Sequence, residues 1–371
     1  MSRRDADPSD AEYLRMALAL AARGLGRTWP NPTVGCVIVA DGVVVGRGWT
    51  QPGGRPHAET EALRRAGAAA RGATVYVSLE PCIHHGGTPP CVDALLAAGI
   101  GRAVIALQDP DPRVAGRGIA ALAAAGVPVS VGVLAADAAS LNHGFLLRVT
   151  HRRPLFTLKL ATSLDGRIAS ASGESRWITG KAARAVAHRL RAEHDAVLVG
   201  IATAAADDPD LGCRLPGLDA RSPLRLVADT GARLPATSSL VRTARDRPTW
   251  LLTGNPPSVE AAALAAAGVR VLPVDRGADG HIDPGGMAAV LAGQGLTRVL
   301  VEGGGVLARS MLAAGLIDRV VWFHAPMIIG GGGRPAVAGG GVEGLAAAFR
   351  FVRREVRPVG DDVMEVYEKA D

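Results

Sequence analysis

Apolar residues in the first half of the chain follow two periodicities in turn. They recur at helical spacing over Tyr13–Arg23, with Asp10 as the expected N-cap. Two β-branched runs, Val34–Val39 and Val43–Val45, flank the turn signal Asp41-Gly42 and predict a hairpin. The later pattern predicts helices over 57–70, 91–98 and 119–125, and strands over 74–79, 102–107 and 127–133. Such alternation is typical of an α/β domain.

The strand pattern stops over 135–153, and a new apolar run begins at Leu155. We therefore place a boundary near residue 150, which gives domains of residues 1–150 and 151–371. The second domain is predicted to be α/β as well. Its strands are expected near 155–160, 196–200, 224–228, 249–253, 269–274, 299–302 and 319–324, and its helices near 180–191, 258–267, 285–292 and 306–314.

Composition narrows the class of protein. Hydrophobic residues make up 48% of the 371 residues, which is enough for two cores, yet no apolar stretch reaches the roughly 18 residues of a membrane helix. The start of the chain has no signal-peptide core, so we expect a cytoplasmic protein without a membrane partner. The arginines are scattered rather than clustered, which disfavours nucleic acid. They reflect either a composition bias or phosphate-bearing small ligands.

One His, two Cys and a Glu in the first half are the residue types of a catalytic zinc site, although eight residues separate the two cysteines where the common deaminase pattern has two. His57-Ala58-Glu59 opens a predicted helix, Cys82 follows a strand, and Cys91 opens the next helix. One imidazole and two thiolates leave the fourth zinc position to water, and Glu59 could then move a proton. This order of residues is typical of zinc deaminases. A closed structural site, with His84 or His85 as the fourth ligand, remains the alternative.

In these motifs the chain resembles the bifunctional riboflavin-biosynthesis deaminase/reductases. The resemblance rests on Asn31-Pro32-Thr33-Val34-Gly35, on His57-Ala58-Glu59 and on the stretch from Pro81 to Cys91, and it continues through the second half. It implies a cytidine-deaminase-like three-layer α/β/α domain followed by a dihydrofolate-reductase-like α/β domain. It also implies that His57, Cys82 and Cys91 bind zinc, that Glu59 is the general acid/base, and that Asn31 holds the pyrimidine.

Two positions depart from the family pattern. Thr50 stands where a His is usual, and Gly87 stands where a Lys or Arg is usual. Both usual residues lie where a substrate phosphate could be met. Arg55, His84 and His85 are the remaining candidates for that contact.

In the second half, the strand near 299–302 runs into Gly303-Gly304-Gly305 and then a helix. Alone, this indicates either a phosphate-binding helix N-terminus or a tight turn. The resemblance adds NADPH as cofactor and assigns residues to two groups. The cofactor contacts are Ala161, Trp177, Thr203, Asp207, Thr230, Gly304, Gly305, Val306 and Leu307, and the substrate contacts are Ser175, Arg191, Leu211, Arg214 and Glu302.

Reduction also needs a proton source, for which Lys159 and Asp207 are the ionisable candidates. Asp207 could instead cap a turn, and Arg191 could be a solvated helix residue. By resemblance, Arg191 and Arg214 hold the substrate's 5′-phosphate.

The function predicted is hydrolytic deamination of a diaminopyrimidinone ribosylamine 5′-phosphate, followed by NADPH-dependent reduction of its ribosyl chain. The expected partners are this small phosphorylated pyrimidine and other copies of the chain in a homo-oligomer. The alternatives are a nucleobase deaminase fused to an inactive reductase-like domain and a zinc-stabilised nucleotide-binding regulator.

Overall fold

The computed structural model describes residues 8–84, 89–254 and 258–370. The chain divides into two compact units, Met1–Arg152 and Arg153–Asp371. In the described ranges, none of the helices has both the length and the apolar character needed to span a membrane.

The first unit has one five-stranded sheet covered by helices. Its helices are α1 (Pro8–Ala21), α2 (Ala58–Ala66), α3 (Cys91–Ala97), α4 (Arg117–Ala124), α5 (Ala135–Leu141) and α6 (His143–His151). Its strands are β1 (Gly35–Ala40), β2 (Val43–Trp49), β3 (Thr74–Val77), β4 (Arg102–Ile105) and β5 (Val129–Val131). The strand order is β2-β1-β3-β4-β5; β1 is antiparallel to both neighbours, and β3, β4 and β5 are parallel.

Alternation along β1 explains why this sheet carries helices on both faces. Cys36 and Ile38 join a buried cluster that includes residues of α2, α3, α4 and α6. Val37 and Val39 point the other way and join a cluster with residues of α1 and α5. The result is the three-layer α/β/α arrangement.

Helix α2 packs directly against β2 because Gly48 of β2 faces the helix. A Cβ placed on Gly48 would be 2.1 Å from the carbonyl oxygen of Ala58, so no larger residue fits there. This close contact fixes the start of α2, where His57 and Glu59 are found.

The predicted hairpin is confirmed, since Asp41 and Gly42 both adopt positive φ between β1 and β2. The predicted N-cap role of Asp10 is wrong, because α1 begins at Pro8 and Asp10 lies inside it. The Asp10 carboxylate accepts hydrogen bonds of 2.8 and 2.7 Å from Arg102 and one of 3.1 Å from the Tyr76 hydroxyl. Burying a carboxylate without hydrogen-bond partners costs much free energy, so Asp10 pairs with Arg102 and Tyr76.

The second unit is built on a nine-stranded sheet. Its helices are α7 (Lys181–Ala192), α8 (Ile201–Asp207), α9 (Ser239–Arg242), α10 (Val259–Ala266), α11 (Pro284–Gly293) and α12 (Gly305–Ala313). Its strands are β6 (Leu155–Thr162), β7 (Arg167–Ala169), β8 (Ala196–Gly200), β9 (Leu224–Ala228), β10 (Thr249–Thr253), β11 (Arg270–Pro273), β12 (Arg298–Val301), β13 (Ile317–His324), β14 (Arg334–Pro335), β15 (Phe351–Val359) and β16 (Asp362–Lys369).

The order of the large sheet is β11-β10-β9-β8-β12-β6-β13-β16-β15. All neighbours from β11 to β13 are parallel, and the β15–β16 hairpin adds two antiparallel strands. The sequence pattern did not predict this hairpin, nor β7, β14, α8 and α9. Strand β15 is exposed over most of its length and carries Arg353, Arg354 and Glu355 in a row, so it lacks the alternation that marks a half-buried strand.

Candidate active sites

Three ligand-type side chains meet in the first unit. His57 is the N-cap of α2, Cys91 is the first residue of α3, and Cys82 lies in the loop between β3 and α3. The Nδ1 atom of His57 lies 3.3 Å from the Cys91 sulfur and 3.5 Å from the Cys82 sulfur. All three ligand atoms are within 4.8 Å of one another, as one metal ion requires.

The donor set suits zinc, which favours imidazole nitrogen and thiolate sulfur. The hydrogen bond from Cys91 lowers the pKa of Cys82 to about 4, so this thiol readily supplies a thiolate. The backbone N–H of Cys91 also donates to the Cys82 sulfur over 3.4 Å. Among the residues that the structure describes, these three form the only such group, and His84 is not part of it. His85 and Gly87 lie outside the described residues.

Glu59 lies in the first turn of α2, two residues after His57, and its side chain is almost fully buried. Burial raises the pKa of Glu59 to about 7, although the nearby His57 acts in the opposite direction. A carboxyl group with a pKa near neutrality can both accept and donate a proton at physiological pH. The predicted acid/base residue therefore lies beside the metal ligands and in a suitable environment.

A second buried carboxylate, Glu80, was not found from the sequence. Its Oε2 accepts hydrogen bonds from the backbone N–H groups of Asp109 (3.1 Å) and Gly116 (2.9 Å). Its Oε1 accepts from Gly118 (2.9 Å) and Ile119 (3.1 Å), at the N-terminus of α4. Glu80 therefore joins the loop of Cys82 to the segment 109–119.

The other residues predicted for this site have distinct surroundings. Asn31 lies against the loop that leads to His57, because a Cβ on Gly54 would be only 1.9 Å from its Nδ2. Thr50 is buried, and its hydroxyl accepts a hydrogen bond of 3.0 Å from the backbone N–H of Val34. Its role is thus structural. The hydrogen bond with Cys82 raises the pKa of His57, and the positive charge of Arg55 opposes part of this rise, which places Arg55 near the metal ligands.

In the second unit, Lys159, Arg191 and Glu302 come together. Arg191 donates from Nε and Nη2 to Glu302 over 2.6 and 2.8 Å, and from Nη1 to the carbonyl of Gly212 over 3.0 Å. Its guanidinium fork is therefore occupied by Glu302. Burial lowers the pKa of Lys159, an effect that Glu302 opposes.

The segment 210–214 is held in place beside this group. The N–H of Gly212 donates to Asp210 over 2.8 Å, and that of Arg214 donates to Nδ1 of His188 over 3.3 Å. His188 was not predicted, because its partner is a backbone group distant in sequence. The Leu211 side chain is buried in the core, whereas the Arg214 side chain is exposed.

The predicted cofactor residues follow the carboxyl ends of neighbouring parallel strands. Thr203 lies in α8 after β8, Thr230 follows β9, and the Gly304–Leu307 turn follows β12, while Ala161 is near the end of β6. A Cβ on Gly304 would be 3.3 Å from the Thr203 hydroxyl, so these two segments touch. Gly304 has φ +86°, which explains why a glycine is needed there.

The remaining predicted residues lie on more exposed segments. The Trp177 ring is 64% exposed, and the Arg184 guanidinium lies 4.3 Å from its centre. Asp207 ends α8, and its carbonyl accepts a hydrogen bond of 3.1 Å from Arg176. The Asp207 side chain is exposed, and Ser175 is half-buried in the preceding loop.

Comparison with known proteins identifies both halves. Residues 7–107 match the cytidine and deoxycytidylate deaminase zinc-binding region, and residues 154–364 match the RibD C-terminal domain. The riboflavin biosynthesis protein RibD of Escherichia coli is 44% identical, covering 95% of this chain and 98% of its own. RibD of Aquifex aeolicus is 39% identical, covering 97% and 98%.

Solved structures agree over the same length. A structure of Acinetobacter baumannii RibD matches with a TM-score of 0.87 at 38% identity, covering 97% of this chain and 99% of that one. A Thermotoga maritima diaminohydroxyphosphoribosylaminopyrimidine deaminase/5-amino-6-(5-phosphoribosylamino)uracil reductase matches with a TM-score of 0.87 at 32% identity and the same coverage.

The role of Glu80 can be tested by hydrogen exchange. In Glu80→Gln, an NH₂ group replaces one oxygen and meets two backbone donors that then lack an acceptor. We expect the amides of 109–119 to exchange about 10- to 100-fold faster, which corresponds to roughly 1.4–2.8 kcal/mol of lost local stability. Peptide-level mass spectrometry measures this, with the exposed Glu12→Gln as control. Unchanged protection would show that Glu80 does not hold this segment.

Proposed function

The chain belongs to the RibD family of riboflavin-biosynthesis proteins, and from this premise we propose which of its residues carry out each of two reactions. It is a bifunctional enzyme with a zinc-binding deaminase domain and a reductase domain that uses NADPH, and its substrate is a small phosphorylated pyrimidine. The family matches cover both halves, so they favour neither an inactive second domain nor a regulator. We assign deamination to residues 1–150 and reduction to residues 151–371.

In deamination, His57, Cys82 and Cys91 would hold the zinc ion. When bound, zinc would supply an acidified water at neutral pH. Glu59 would take a proton from the attacking water, whose oxygen would add to the carbon that bears the 2-amino group, and would pass the proton to that amino group. The carbon–nitrogen bond would then break, ammonia would leave, and the added oxygen would remain as the carbonyl. The observation that carries this proposal is the cluster of three ligand atoms within 4.8 Å of one another, with buried Glu59 beside it.

The Glu59→Gln variant tests this division of roles. Glu59 is not among the three ligands, so we expect about one zinc per chain, as in the wild type. Deamination should fall by about 100-fold or more, because the proton shuttle is lost. Ammonia release and metal content are measured on the same sample.

NADPH-dependent reduction of the deaminated intermediate is the control, and it should be unchanged in Glu59→Gln. If the variant released ammonia at the wild-type rate, Glu59 would be excluded as the proton carrier. Loss of zinc would instead make it a ligand.

In reduction, NADPH would lie along the edge formed by Thr203, Thr230 and the Gly304–Leu307 turn, with Ala161, Trp177 and Asp207 beside it. The free backbone N–H groups at the start of α12 suit a phosphate. When bound, NADPH would supply the hydride for the first carbon of the ribosyl chain opened to its imine, and a proton from the protein would go to the imine nitrogen to complete the ribityl product. We favour Lys159 over Asp207 as the proton source. Lys159 lies next to Glu302, and burial lowers the pKa of Lys159.

Substrate would be held by Ser175, Arg191, Leu211, Arg214 and Glu302, as the resemblance implies. The sequence prediction places both arginines on the phosphate. Since Glu302 already occupies the fork of Arg191, we assign the phosphate contact to exposed Arg214 and a positioning role to Arg191. In the deaminase domain, Asn31 is the described candidate for the pyrimidine, and Arg55 and His84 are the described candidates for the phosphate.

Dephosphorylated substrate separates the two arginines. Arg214→Ala should lower kcat/KM for the phosphorylated substrate by about 10- to 150-fold, as expected for the loss of charge-assisted hydrogen bonds. It should have little effect on the dephosphorylated substrate. Arg191→Ala should lower kcat/KM for the phosphorylated and the dephosphorylated substrate equally, because it leaves Glu302 without its partner. An equal loss on both substrates for Arg214→Ala would contradict the phosphate assignment.

We also propose that the enzyme is a cytoplasmic homo-oligomer. Strand β15 ends the sheet, and Val352 and Val356 on it are 43% and 50% exposed, a surface suited to a second copy. All four cysteines are free, which suits a reducing compartment.

Light scattering after size exclusion tests the oligomer. We expect a wild-type dimer or higher oligomer, and a shift toward monomer in Val352→Asp/Val356→Asp, because charge then enters the interface. Val43→Asp, at another exposed valine, is the control. A monomeric wild type would refute the proposal.

A further inference from the structure

Two arginines stand beside the carboxyl ends of adjacent parallel strands, outside the residues assigned so far. Arg233 follows β9 and Arg276 follows β11, next to the end of β10. Both side chains are largely exposed. Each guanidinium donates a hydrogen bond to the protein through its Nε atom. Within the described ranges, the structure shows no hydrogen bond from the terminal nitrogens of either arginine.

A buried acid holds Arg233. Asp229, which is fully buried, accepts a hydrogen bond of 3.4 Å from Nε of Arg233. It also accepts from the backbone N–H groups of Gly231 (3.3 Å) and Leu234 (2.8 Å). The Asp229 carboxylate is therefore committed to shaping the turn 229–234 and presenting Arg233.

Arg276 is fixed to the neighbouring strand. Its Nε donates to the carbonyl of Gly254 over 2.9 Å, and a Cβ on Gly254 would be 2.7 Å from Cγ of Arg276. Thr230 connects the two sides: its carbonyl accepts from the Thr253 hydroxyl, and its own hydroxyl accepts from the N–H of Ile282, each over 3.2 Å. Arg276 in turn forms a β-bridge with Ile282. The two arginines thus flank one cross-linked corner.

The order of strands places this corner at one end of the cofactor edge. The glycine turn and Thr203 follow β12 and β8, and the next strands in the sheet are β9 and β10. An extended dinucleotide with its pyrophosphate at the glycine turn would reach the β9–β10 corner with its adenosine half. The inference therefore rests on the proposed cofactor site.

We propose that Arg233 and Arg276 bind the 2′-phosphate of the adenosine ribose and so select NADPH over NADH. A phosphate dianion gains most from guanidinium groups whose terminal nitrogens are available. Enzymes that use NADH instead place a free carboxylate on the ribose 2′-hydroxyl. Asp229, the acid that directly follows β9, is already occupied by two backbone donors and Arg233.

A matched pair of probes tests the inference by calorimetry, without catalysis. Adenosine 2′,5′-bisphosphate carries the 2′-phosphate, and 5′-AMP lacks only that group. Wild type should bind the bisphosphate more tightly. Arg233→Ala and Arg276→Ala should each weaken bisphosphate binding by about 10- to 100-fold and leave 5′-AMP binding unchanged. Arg→Lys variants should recover part of the loss.

Arg245→Ala is the matched control, because Arg245 is exposed in the same unit but precedes β10, at the opposite end of that strand. It should bind both probes as wild type does. Equal wild-type affinity for the two probes, or an unchanged preference in both variants, would overturn the inference. If wild type binds neither probe nor NADP⁺, the cofactor site itself is wrong. If NADP⁺ binds and both variants still prefer the bisphosphate over 5′-AMP as wild type does, only the assignment of the two arginines to the 2′-phosphate is excluded.

Discussion

Both sites depend on one constraint, that strands running in the same direction deliver their following loops to the same edge of a sheet. In the first unit, β2 and β3 are each antiparallel to β1, so β2 runs in the same direction as β3 and β4. His57 and Glu59 follow β2, Cys82 follows β3, and the segment held by Glu80 follows β4. In the second unit, the strands from β10 to β6 bring the proposed cofactor and substrate residues together in the same way. Residues far apart in sequence thus become neighbours.

Three buried glutamates show how environment separates roles for one side chain. Glu59 is dominated by burial, and its pKa rises to about 7. Glu302 is paired with Arg191 and lies near Lys159, and these positive charges hold its pKa below the usual value despite burial. Glu80 has four backbone donors and serves to join two segments. The proton carrier we propose is thus the glutamate with the fewest compensating partners.

Much of this was predictable from local pattern. Strands 196–200, 224–228 and 249–253 were predicted at their observed bounds, because buried parallel strands form short apolar runs between turn residues. The metal ligands were recognised because their chemistry requires particular residue types at particular spacings. Glu80, His188 and Asp229 were missed because their partners are mostly backbone groups, which leave no mark in a sequence. The pairing of Arg191 with Glu302 likewise joins residues on different elements, so no local pattern could show it.

The central claim is that the zinc site keeps one position open for water, and X-ray absorption at the zinc edge of the metal-loaded enzyme tests it most directly. The account predicts two sulfur neighbours at about 2.3 Å and two nitrogen or oxygen neighbours at about 2.0–2.1 Å, with multiple scattering from one imidazole only. Scattering from two imidazoles would contradict it, because a second histidine would then close the site and leave no place for the reacting water.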